Sequence, residues 1–295
     1  MISCDFQRGF SRMSRRGFLL GSAAAASVMR LARAQDTATR AKLDRISVMT
    51  NDFDAVLPEI WDRSKEVAPK GLDMMDLPDA VADRLHLHNL EVCNINLLSM
   101  ESSYIRKFKE RLDKAKSKAV DLVVELDPPE TRYRGHISAC SADPDIRAQA
   151  IEMTRRWIDI AAVLGSPSIM PNQGVRYLTE DLTPCIEGIK SLIAYGKTKN
   201  VAVILEPRGQ KLEQLLALLK GSGAYSNPQV GTEEGLRQLY PLARTVQHVT
   251  ARFDIANMIK ISKELGFKGW YSIETGGSDP WASIQKVIDS LVQYM

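Results

Sequence analysis

The chain has 295 residues, of which 44% are hydrophobic and 25% are charged, a composition typical of a globular protein large enough for one sizeable core. After the N-terminal region, no stretch approaches the roughly 20 consecutive apolar residues that a membrane-spanning helix needs. The formal net charge is +3, but residues 1–34 carry six arginines and one aspartate, so 33 basic and 35 acidic residues follow them. The remaining chain is therefore slightly acidic, which argues against a nucleic-acid partner, because such a partner requires a basic patch.

The N-terminal region has the layout of a twin-arginine export signal. Arg15 and Arg16 precede a weakly apolar stretch, and the Ala-Arg-Ala sequence at 32–34 is similar to a small-x-small cleavage site. We therefore predict that residues 1–34 are a signal peptide and that residues 35–295 form a single domain. The mature protein is expected in the periplasm, without a stable membrane anchor after cleavage.

Three cysteines remain after the predicted cleavage, namely Cys93, Cys140 and Cys185. An oxidising periplasm would allow one disulfide, but the spacing does not assign its members. Burial as small apolar side chains is the alternative, because free cysteine is among the most buried residue types.

From residue 43 onward, short runs rich in β-branched residues alternate with stretches whose apolar residues recur at helical spacing. The pattern predicts strands at 45–50, 90–97, 119–126, 166–170, 201–209, 225–230, 244–250 and 269–277. It predicts helices at 77–87, 101–118, 143–164, 179–198, 211–220, 255–265 and 279–294. This rhythm predicts an α/β fold of the (β/α)8 TIM barrel type. A doubly wound sheet is the alternative, but that fold usually has a glycine-rich loop after its first strand, and residues 50–54 contain no glycine.

Two predicted strands lead into a glutamate. The fifth runs through Val201 to Glu206, and the eighth ends in Glu274. Because the carboxyl ends of barrel strands converge on one face, where ligands bind, both glutamates are candidate catalytic residues. Arg208 has the same strand parity as Glu206 and is a good partner for a carboxylate or an acidic ligand.

Other polar residues at predicted strand ends are candidate substrate ligands. Glu125 ends the third strand, Asn96 and Asn172 follow the second and fourth, and amide side chains of this kind hydrogen-bond sugar hydroxyls. His136 follows the third strand, and Arg252 shares the parity of His248 on the seventh. Solvated loop positions are the alternative for Glu125 and for the segment that contains His136.

The sequence resembles the xylose isomerase-like TIM barrel family, often called sugar phosphate isomerases/epimerases. The resemblance is most specific at Leu205-Glu206-Pro207, at residues 265–274 and at the Asp-Pro start of the helix at 143. It implies a divalent ion at the barrel mouth, held by a glutamate from strand five, an aspartate from strand six, a histidine and a glutamate from strand eight. Such ligands suit Mg²⁺ or Mn²⁺, and Zn²⁺ is also accepted. The ion would polarise a sugar while the glutamates move a proton between adjacent carbons.

The family's ligand positions carry over incompletely. Glu206 and Glu274 match the two glutamates, but Gln229 stands where the family has the aspartate. The family histidine aligns with Ala251, three residues after His248. A metal set of Glu206, Glu274, Gln229 and His248 is thus expected to bind a divalent ion weakly or to have lost it. Contact of Gln229 or His248 with both glutamates would restore the metal interpretation.

The residues and the resemblance together lead to two hypotheses. The first is an exported sugar or keto-sugar isomerase, epimerase or related lyase that acts on a small carbohydrate through Glu206 and Glu274. The second is a degenerate barrel that binds a carbohydrate or acidic metabolite without turning it over. An abasic-site endonuclease of the same superfamily fits poorly. Resemblance to those barrels would imply a histidine-rich site for three metal ions, and this chain has only four histidines. The sequence is compatible with a homo-oligomer and does not name the sugar.

Overall fold

A computed structural model of the protein describes residues 37–126, 137–172 and 181–295. The chain divides into two compact units, residues 1–41 and Lys42–Met295. In the first unit only residues 37–41 are described, and they are helical. The signal-peptide prediction for residues 1–34 lies outside the described residues. Within the described ranges, no helix is long and apolar enough to cross a membrane.

Within the described part of Lys42–Met295, eight parallel strands alternate with eight α-helices. The elements are β1 (Ile46–Met49), α1 (Leu77–Leu85), β2 (Asn89–Cys93), α2 (Ser102–Lys114), β3 (Lys118–Val124), α3 (Pro144–Leu164), β4 (Ser168–Pro171), α4 (Thr183–Lys199), β5 (Ala202–Leu205), α5 (Leu212–Ser222), β6 (Tyr225–Ser226), α6 (Glu233–Leu239), β7 (Val246–Val249), α7 (Ile255–Glu264), β8 (Trp270–Ile273) and α8 (Pro280–Tyr294). The predicted α/β TIM barrel of a single domain is confirmed.

The sheet curls through the order β6-β5-β4-β3-β2-β1-β8-β7, so β6 and β7 meet at the closing seam. A single backbone bridge, between Ser226 and Ala243, crosses this seam. The side chain of Asn227 adds a second link, because its Oδ1 accepts the backbone N–H of His248 at 2.8 Å. A side chain therefore completes barrel closure beside a candidate site residue.

Strand alternation sorts the buried residues into two layers. Val48, Leu90 and Leu122 belong to the larger apolar cluster between strands and helices. Met170 and Ile204 belong to a smaller cluster inside the barrel. The interior is not wholly apolar, since several strands place polar or charged side chains there. Its fully buried polar residues include Ser47, Glu91, Asp121, Ser168, His248 and Ser272.

Most observed strands are shorter than predicted, and one helix was not predicted. The strands predicted at 201–209 and 269–277 extend only over Ala202–Leu205 and Trp270–Ile273. The sixth strand is confined to Tyr225–Ser226, shorter than the predicted 225–230, because Pro228 has no N–H to donate to a ladder. Helix α6 was not predicted, since seven residues offer too few turns for a clear helical period. Its start is nevertheless marked by Thr232, whose side chain caps the backbone N–H of Gly235 at 3.2 Å.

A disulfide joins Cys140, just before α3, to Cys185 in α4. The sequence had left the members of this pair open. Cys93 is buried inside the barrel and is not part of the disulfide. The bond ties two neighbouring helices of the outer layer together.

The seam gives the first prediction. Asn227→Ala should lower the free energy of unfolding by about 1–3 kcal/mol, because it leaves the buried N–H of His248 without an acceptor. Urea unfolding followed by circular dichroism measures the effect. Asn89→Ala is the matched control, since Asn89 is also buried and its Nδ2 donates to Asp44 O and Ile46 O, both at 3.0 Å. Both variants should lose stability, but only Asn227→Ala should shift the NMR signals of His248. An unchanged His248 spectrum in Asn227→Ala would contradict the role given to this seam contact.

Candidate active site

Glu206 stands directly after β5, where the strand leaves the apolar interior, and its two oxygens have different neighbours. Oε1 lies 2.5 Å from Nε of Arg208. Oε2 lies 3.2 Å from Nδ1 of His248 and 3.5 Å from Nδ2 of Asn227. One oxygen therefore faces a guanidinium while the other faces the imidazole.

Glu274 follows β8 and lies in the same cluster. Its Oε2 is 3.6 Å from Nδ1 of His248 and accepts a hydrogen bond from Nε2 of Gln229. The Glu274 side chain is 34% exposed, against 3% for that of Glu206. The two glutamates thus meet around one imidazole, and Glu274 is the one that reaches the barrel mouth.

His248 is positioned by a residue that the sequence analysis missed. Glu91, in the middle of β2, accepts a hydrogen bond from Nε2 of His248 at 2.8 Å. Both side chains are almost fully buried. Because Nε2 is engaged by Glu91, Nδ1 is the ring nitrogen that faces Glu206 and Glu274. In the sequence, the indication of a role for Glu91 was its position as a carboxylate between Leu90 and Val92 in a largely apolar strand.

Below Glu91, the barrel interior continues as a polar column. Asp121 is fully buried on β3 and accepts a hydrogen bond from the hydroxyl of Ser168. The same hydroxyl lies 3.0 Å from Thr245 Oγ1. Burial first, and then the neighbouring Glu91 carboxylate, raise the pKa of Asp121 well above its usual value. Burial beside Glu91 therefore favours the neutral form of Asp121, which adds no second negative charge to the interior.

Arg208 links the cluster to a second carboxylate. Its Nη2 lies 2.7 Å from Oε1 of Glu125, and Oε2 of Glu125 accepts a hydrogen bond from Nδ2 of Asn172 at 2.7 Å. Asn94 clamps the backbone of Glu125, donating to its carbonyl and accepting from its N–H, both at 2.9 Å. The structure thus brings three predicted site residues, Arg208, Glu125 and Asn172, into one chain of contacts, which Asn94 supports.

The charges at the site stabilise one another. Burial opposes ionisation of Glu206, but Arg208 and His248 outweigh it and hold its pKa at about 2. Burial disfavours a charged His248, yet Glu91 and the other carboxylates raise the pKa of the imidazole well above its usual value. Burial raises the pKa of Glu274, and His248 partly offsets the effect. Glu206 is therefore the permanently ionised member of the pair, and Glu274 is the stronger base.

Three further candidates have other surroundings. Asn96 is buried, and both ends of its amide are engaged by the segment that follows β1. Its Oδ1 accepts from Thr50 Oγ1 at 2.7 Å, and its Nδ2 donates to Pro58 O at 3.4 Å. Arg252 is exposed on the loop after β7, and its side chain makes no hydrogen bond or ion pair with another described residue. His136 lies outside the described residues. Ala251, which aligns with the family histidine, is exposed, so the imidazole of the cluster comes from the body of β7.

The cluster can be compared with the needs of a divalent ion. No group of three or more His, Cys, Asp or Glu side chains in the described residues is already closed around a metal position. Nδ1 of His248, however, is a buried atom without a hydrogen bond, and it faces one oxygen from each glutamate. Its Nε2–H donates a hydrogen bond to the carboxylate of Glu91, and metal-binding histidines usually donate such a bond from their second ring nitrogen. Two carboxylates, an imidazole and the amide of Gln229 therefore fit Mn²⁺, Mg²⁺ or Zn²⁺ in their chemistry.

The fold and the cluster define a (β/α)8 barrel with an acidic and histidine-containing site at the carboxyl ends of its strands. Residues 64–232 match the family model described as the xylose isomerase-like TIM barrel. The chain belongs to the xylose isomerase-like TIM barrel family. No curated protein sequence matches it at a significant level.

Three solved structures illustrate the shared fold. A xylose isomerase-like TIM barrel protein from Mycobacterium smegmatis, in complex with magnesium, is 15% identical; the match covers 85% of this chain and 96% of that one, with a TM-score of 0.63. The D-allulose 3-epimerase of a Methylomonas species, in complex with D-allulose, is 14% identical over 85% and 98% of the two chains, with a TM-score of 0.64. The D-psicose 3-epimerase of Clostridium cellulolyticum H10, with D-tagatose, is 13% identical over 84% and 96%, with a TM-score of 0.61. At these identities the comparison establishes the fold.

The Glu91 contact gives the second prediction. Glu91→Gln should weaken Mn²⁺ binding about 10- to 100-fold, because it removes the carboxylate that orients the imidazole toward the glutamates. Isothermal titration calorimetry of protein purified without chelator, together with the Mn²⁺-dependent shift in melting temperature, measures this loss. Glu125→Gln is the matched control, since Glu125 contacts Arg208 and not His248, and it should retain most of its Mn²⁺ affinity. Equal losses in both variants would show that Glu91 has no specific link to the cation.

Proposed function

We propose that the protein is a sugar isomerase or epimerase that transfers a proton between carbons of a small carbohydrate at the Glu206–Glu274 site. The observation that carries the proposal is the position of His248, whose Nδ1 lies 3.2 Å from Glu206 and 3.6 Å from Glu274. Two carboxylates around one imidazole form an acid/base and cation-binding site where barrel enzymes bind their ligands.

The two glutamates have separate tasks. Glu274 is partly exposed and has a raised pKa, so it is the carboxylate that takes the proton from the carbon beside the sugar carbonyl. Returning that proton to the former carbonyl carbon, while the proton of the adjacent hydroxyl moves to the former carbonyl oxygen, isomerises the sugar. Epimerisation needs two groups on opposite faces, one ionised to take the proton and one protonated to return a proton; Glu206 is the ionised carboxylate for this reaction, and Glu274, with its raised pKa, is the one that holds a proton. Glu206 otherwise remains ionised and holds Arg208 in place.

Glu206, Glu274 and His248, with Gln229 as a neutral fourth ligand, are the residues that would hold a divalent ion. When bound, such an ion supplies Lewis acidity that stabilises the negative charge on the substrate oxygen. Arg208 contacts Oε1 of Glu206, whereas Nδ1 of His248 lies nearest Oε2, so the second oxygen would remain available to the ion. The Arg208 side chain is 17% exposed, so it can also donate a hydrogen bond to a substrate oxygen at the mouth.

The structural neighbours support the class of reaction. Their names include D-allulose, D-psicose and L-ribulose 3-epimerases, all of which share the barrel. Gln229 favours a second candidate function, a barrel that binds a carbohydrate without turnover, because a neutral amide holds a cation less firmly than the aspartate expected there.

The third prediction tests turnover. Protein loaded with Mn²⁺ should interconvert at least one member of a panel of free aldoses and ketoses, detected by chromatography and by exchange of a carbon-bound proton in D₂O. Glu274→Gln should lower kcat about 10²- to 10⁴-fold, because the amide cannot accept the proton. Glu264→Gln, which removes an exposed carboxylate on α7, is the control and should leave kcat unchanged.

The same assay separates the two functions. Sugar binding that survives in Glu274→Gln, together with no turnover or proton exchange by the wild type on any sugar of the panel, would favour the binding protein and overturn the isomerase proposal. Turnover by Glu274→Gln at the wild-type rate would assign the proton transfer to another residue.

Export through the twin-arginine route is part of the proposal. The Cys140–Cys185 disulfide supports it, because structural disulfides persist in oxidising compartments such as the bacterial periplasm. The Arg15–Arg16 pair and the Ala-Arg-Ala sequence at 32–34 are the features that the export machinery and signal peptidase would read.

The fourth prediction concerns this export. In a bacterium with an active twin-arginine route, the periplasmic protein should begin at Gln35 by N-terminal sequencing. Replacing Arg15 and Arg16 with lysine should retain the uncleaved precursor in the cytoplasm, whereas the same replacement of Arg8 and Arg12 should not. Equal periplasmic amounts of the Arg15/Arg16 variant and wild type would exclude this route.

A further inference from the structure

A cavity of about 460 Å³ opens beside the candidate active site. It lies over the carboxyl ends of β2 and β3, between the loop after β1 and helix α3. Most of its lining is apolar, with Trp61, Met100 and Met153 among the side chains. Four charged residues also line it, and three of them are paired: Asp62 with Lys65, Glu125 with Arg208 and Arg156 with Glu152, whereas Arg63 is treated below. Its size is in the range of small-molecule sites, and its lining is more apolar than a free sugar requires.

The cavity shares one residue with the catalytic cluster. Glu125 lines it, and the same carboxylate lies 2.7 Å from Nη2 of Arg208. Arg208 in turn lies 2.5 Å from Glu206. One guanidinium therefore separates the cavity from the proposed reaction centre, so a substituent of the substrate can occupy the cavity while the sugar is at Glu274. A different cavity, of about 350 Å³, is lined by Pro167, Tyr225 and Arg244 and shares no lining residue with this one.

An arginine at the rim gives the cavity a charge preference. Nη2 of Arg63 donates to Asn94 O at 2.7 Å, and the guanidinium lies 4.9 Å from the ring centroid of Trp157. Among the described residues, no carboxylate forms an ion pair with Arg63. The neighbouring Asp62 is engaged by Lys65 at 3.2 Å and by Ser64 Oγ at 2.6 Å. Arg63 thus presents a fixed positive charge beside two tryptophans.

We propose that this cavity binds an apolar ring bearing a carboxylate, as a substituent of the substrate that reacts at Glu274. The ring packs against the partly exposed Trp61, whereas Trp157 is buried and its ring is covered by the Arg63 guanidinium. The carboxylate pairs with Arg63, which is a strong and directional carboxylate donor. The substrate is then a sugar joined to an acidic aromatic group, and this assignment rests on the proposed isomerase or epimerase function.

The fifth prediction uses fluorescence titration with 2-naphthoate and its neutral counterpart 2-naphthol. The wild type should bind 2-naphthoate about 10-fold more tightly, a ratio that corresponds to about 1.4 kcal/mol. Arg63→Gln should abolish this preference while leaving 2-naphthol affinity unchanged. Arg84→Gln is the matched control, because Arg84 lies 4.5 Å from the ring centroid of Trp281, away from the cavity lining, and should keep the preference. Trp61→Leu should weaken the binding of both probes, with circular dichroism confirming that each variant is folded.

The outcomes are distinguishable from those of the isomerase proposal. If sugar turnover is found, 2-naphthoate should inhibit it competitively, and purely non-competitive inhibition would overturn the placement of the cavity within the substrate site. If no sugar is turned over, the isomerase proposal fails while the titration still decides whether the cavity prefers an acidic ring. The absence of saturable 2-naphthoate binding, or the same preference in Arg63→Gln as in wild type, would overturn the inference.

Discussion

The hydrogen bond between Glu91 and His248 is the interaction on which the site depends. It is fully buried, and it determines which ring nitrogen of His248 faces the two glutamates. An ionised group without partners would be costly to bury in such an interior. The free energy lost on removing its charge from water is offset only by ion pairs and hydrogen bonds within the protein. The barrel supplies these partners: Asp121, whose pKa burial raises well above its usual value, lies beside Glu91 on the next strand, and the glutamate pair faces Nδ1 of His248. An apolar interior could give this barrel more packing but could not present an imidazole between two carboxylates.

The arrangement around Glu206 reconciles two interpretations that compete at the level of sequence. The sequence predicts Arg208 as a carboxylate partner at this strand end and Glu206 as one ligand of a weakened metal set. In the structure, Arg208 binds Oε1, whereas His248 and Glu274 lie on the side of Oε2. A guanidinium and a divalent ion can therefore share one carboxylate. Arg208 is better understood as the link between the reaction centre and Glu125 than as a substitute for the ion.

The sequence predicted the barrel because eight alternations of β-rich and helical periods leave few other folds, and strand ends in a barrel converge whatever the loops do. The same reasoning predicted Glu206, Glu274 and Arg208 at one face of the barrel. Gln229 and His248 entered the metal set through the family resemblance, whose spacing aligned the family histidine with Ala251 rather than with His248. Glu91 could not be predicted, because one carboxylate within an apolar strand does not reveal which neighbour faces it across the barrel. Nor could the pairing of Cys140 with Cys185 be predicted, since it depends on how α3 and α4 pack.

Closure of the barrel and assembly of the site are one structural event. The seam between β6 and β7 has a single backbone bridge, and Asn227 adds to it by accepting the N–H of His248 through its side chain. The amide nitrogen of the same side chain lies 3.5 Å from Oε2 of Glu206. Gln247 adds another contact across the seam, since its Nε2 donates to Pro228 O at 3.3 Å, and His248 is in register with Ser272 of β8. The seam contacts and the β7–β8 ladder together position His248 relative to Glu206. The junction with one backbone bridge thus lies beside the proposed reaction centre. A cation or substrate bound at the glutamate pair would stabilise the closed barrel, because it would bind only the closed form.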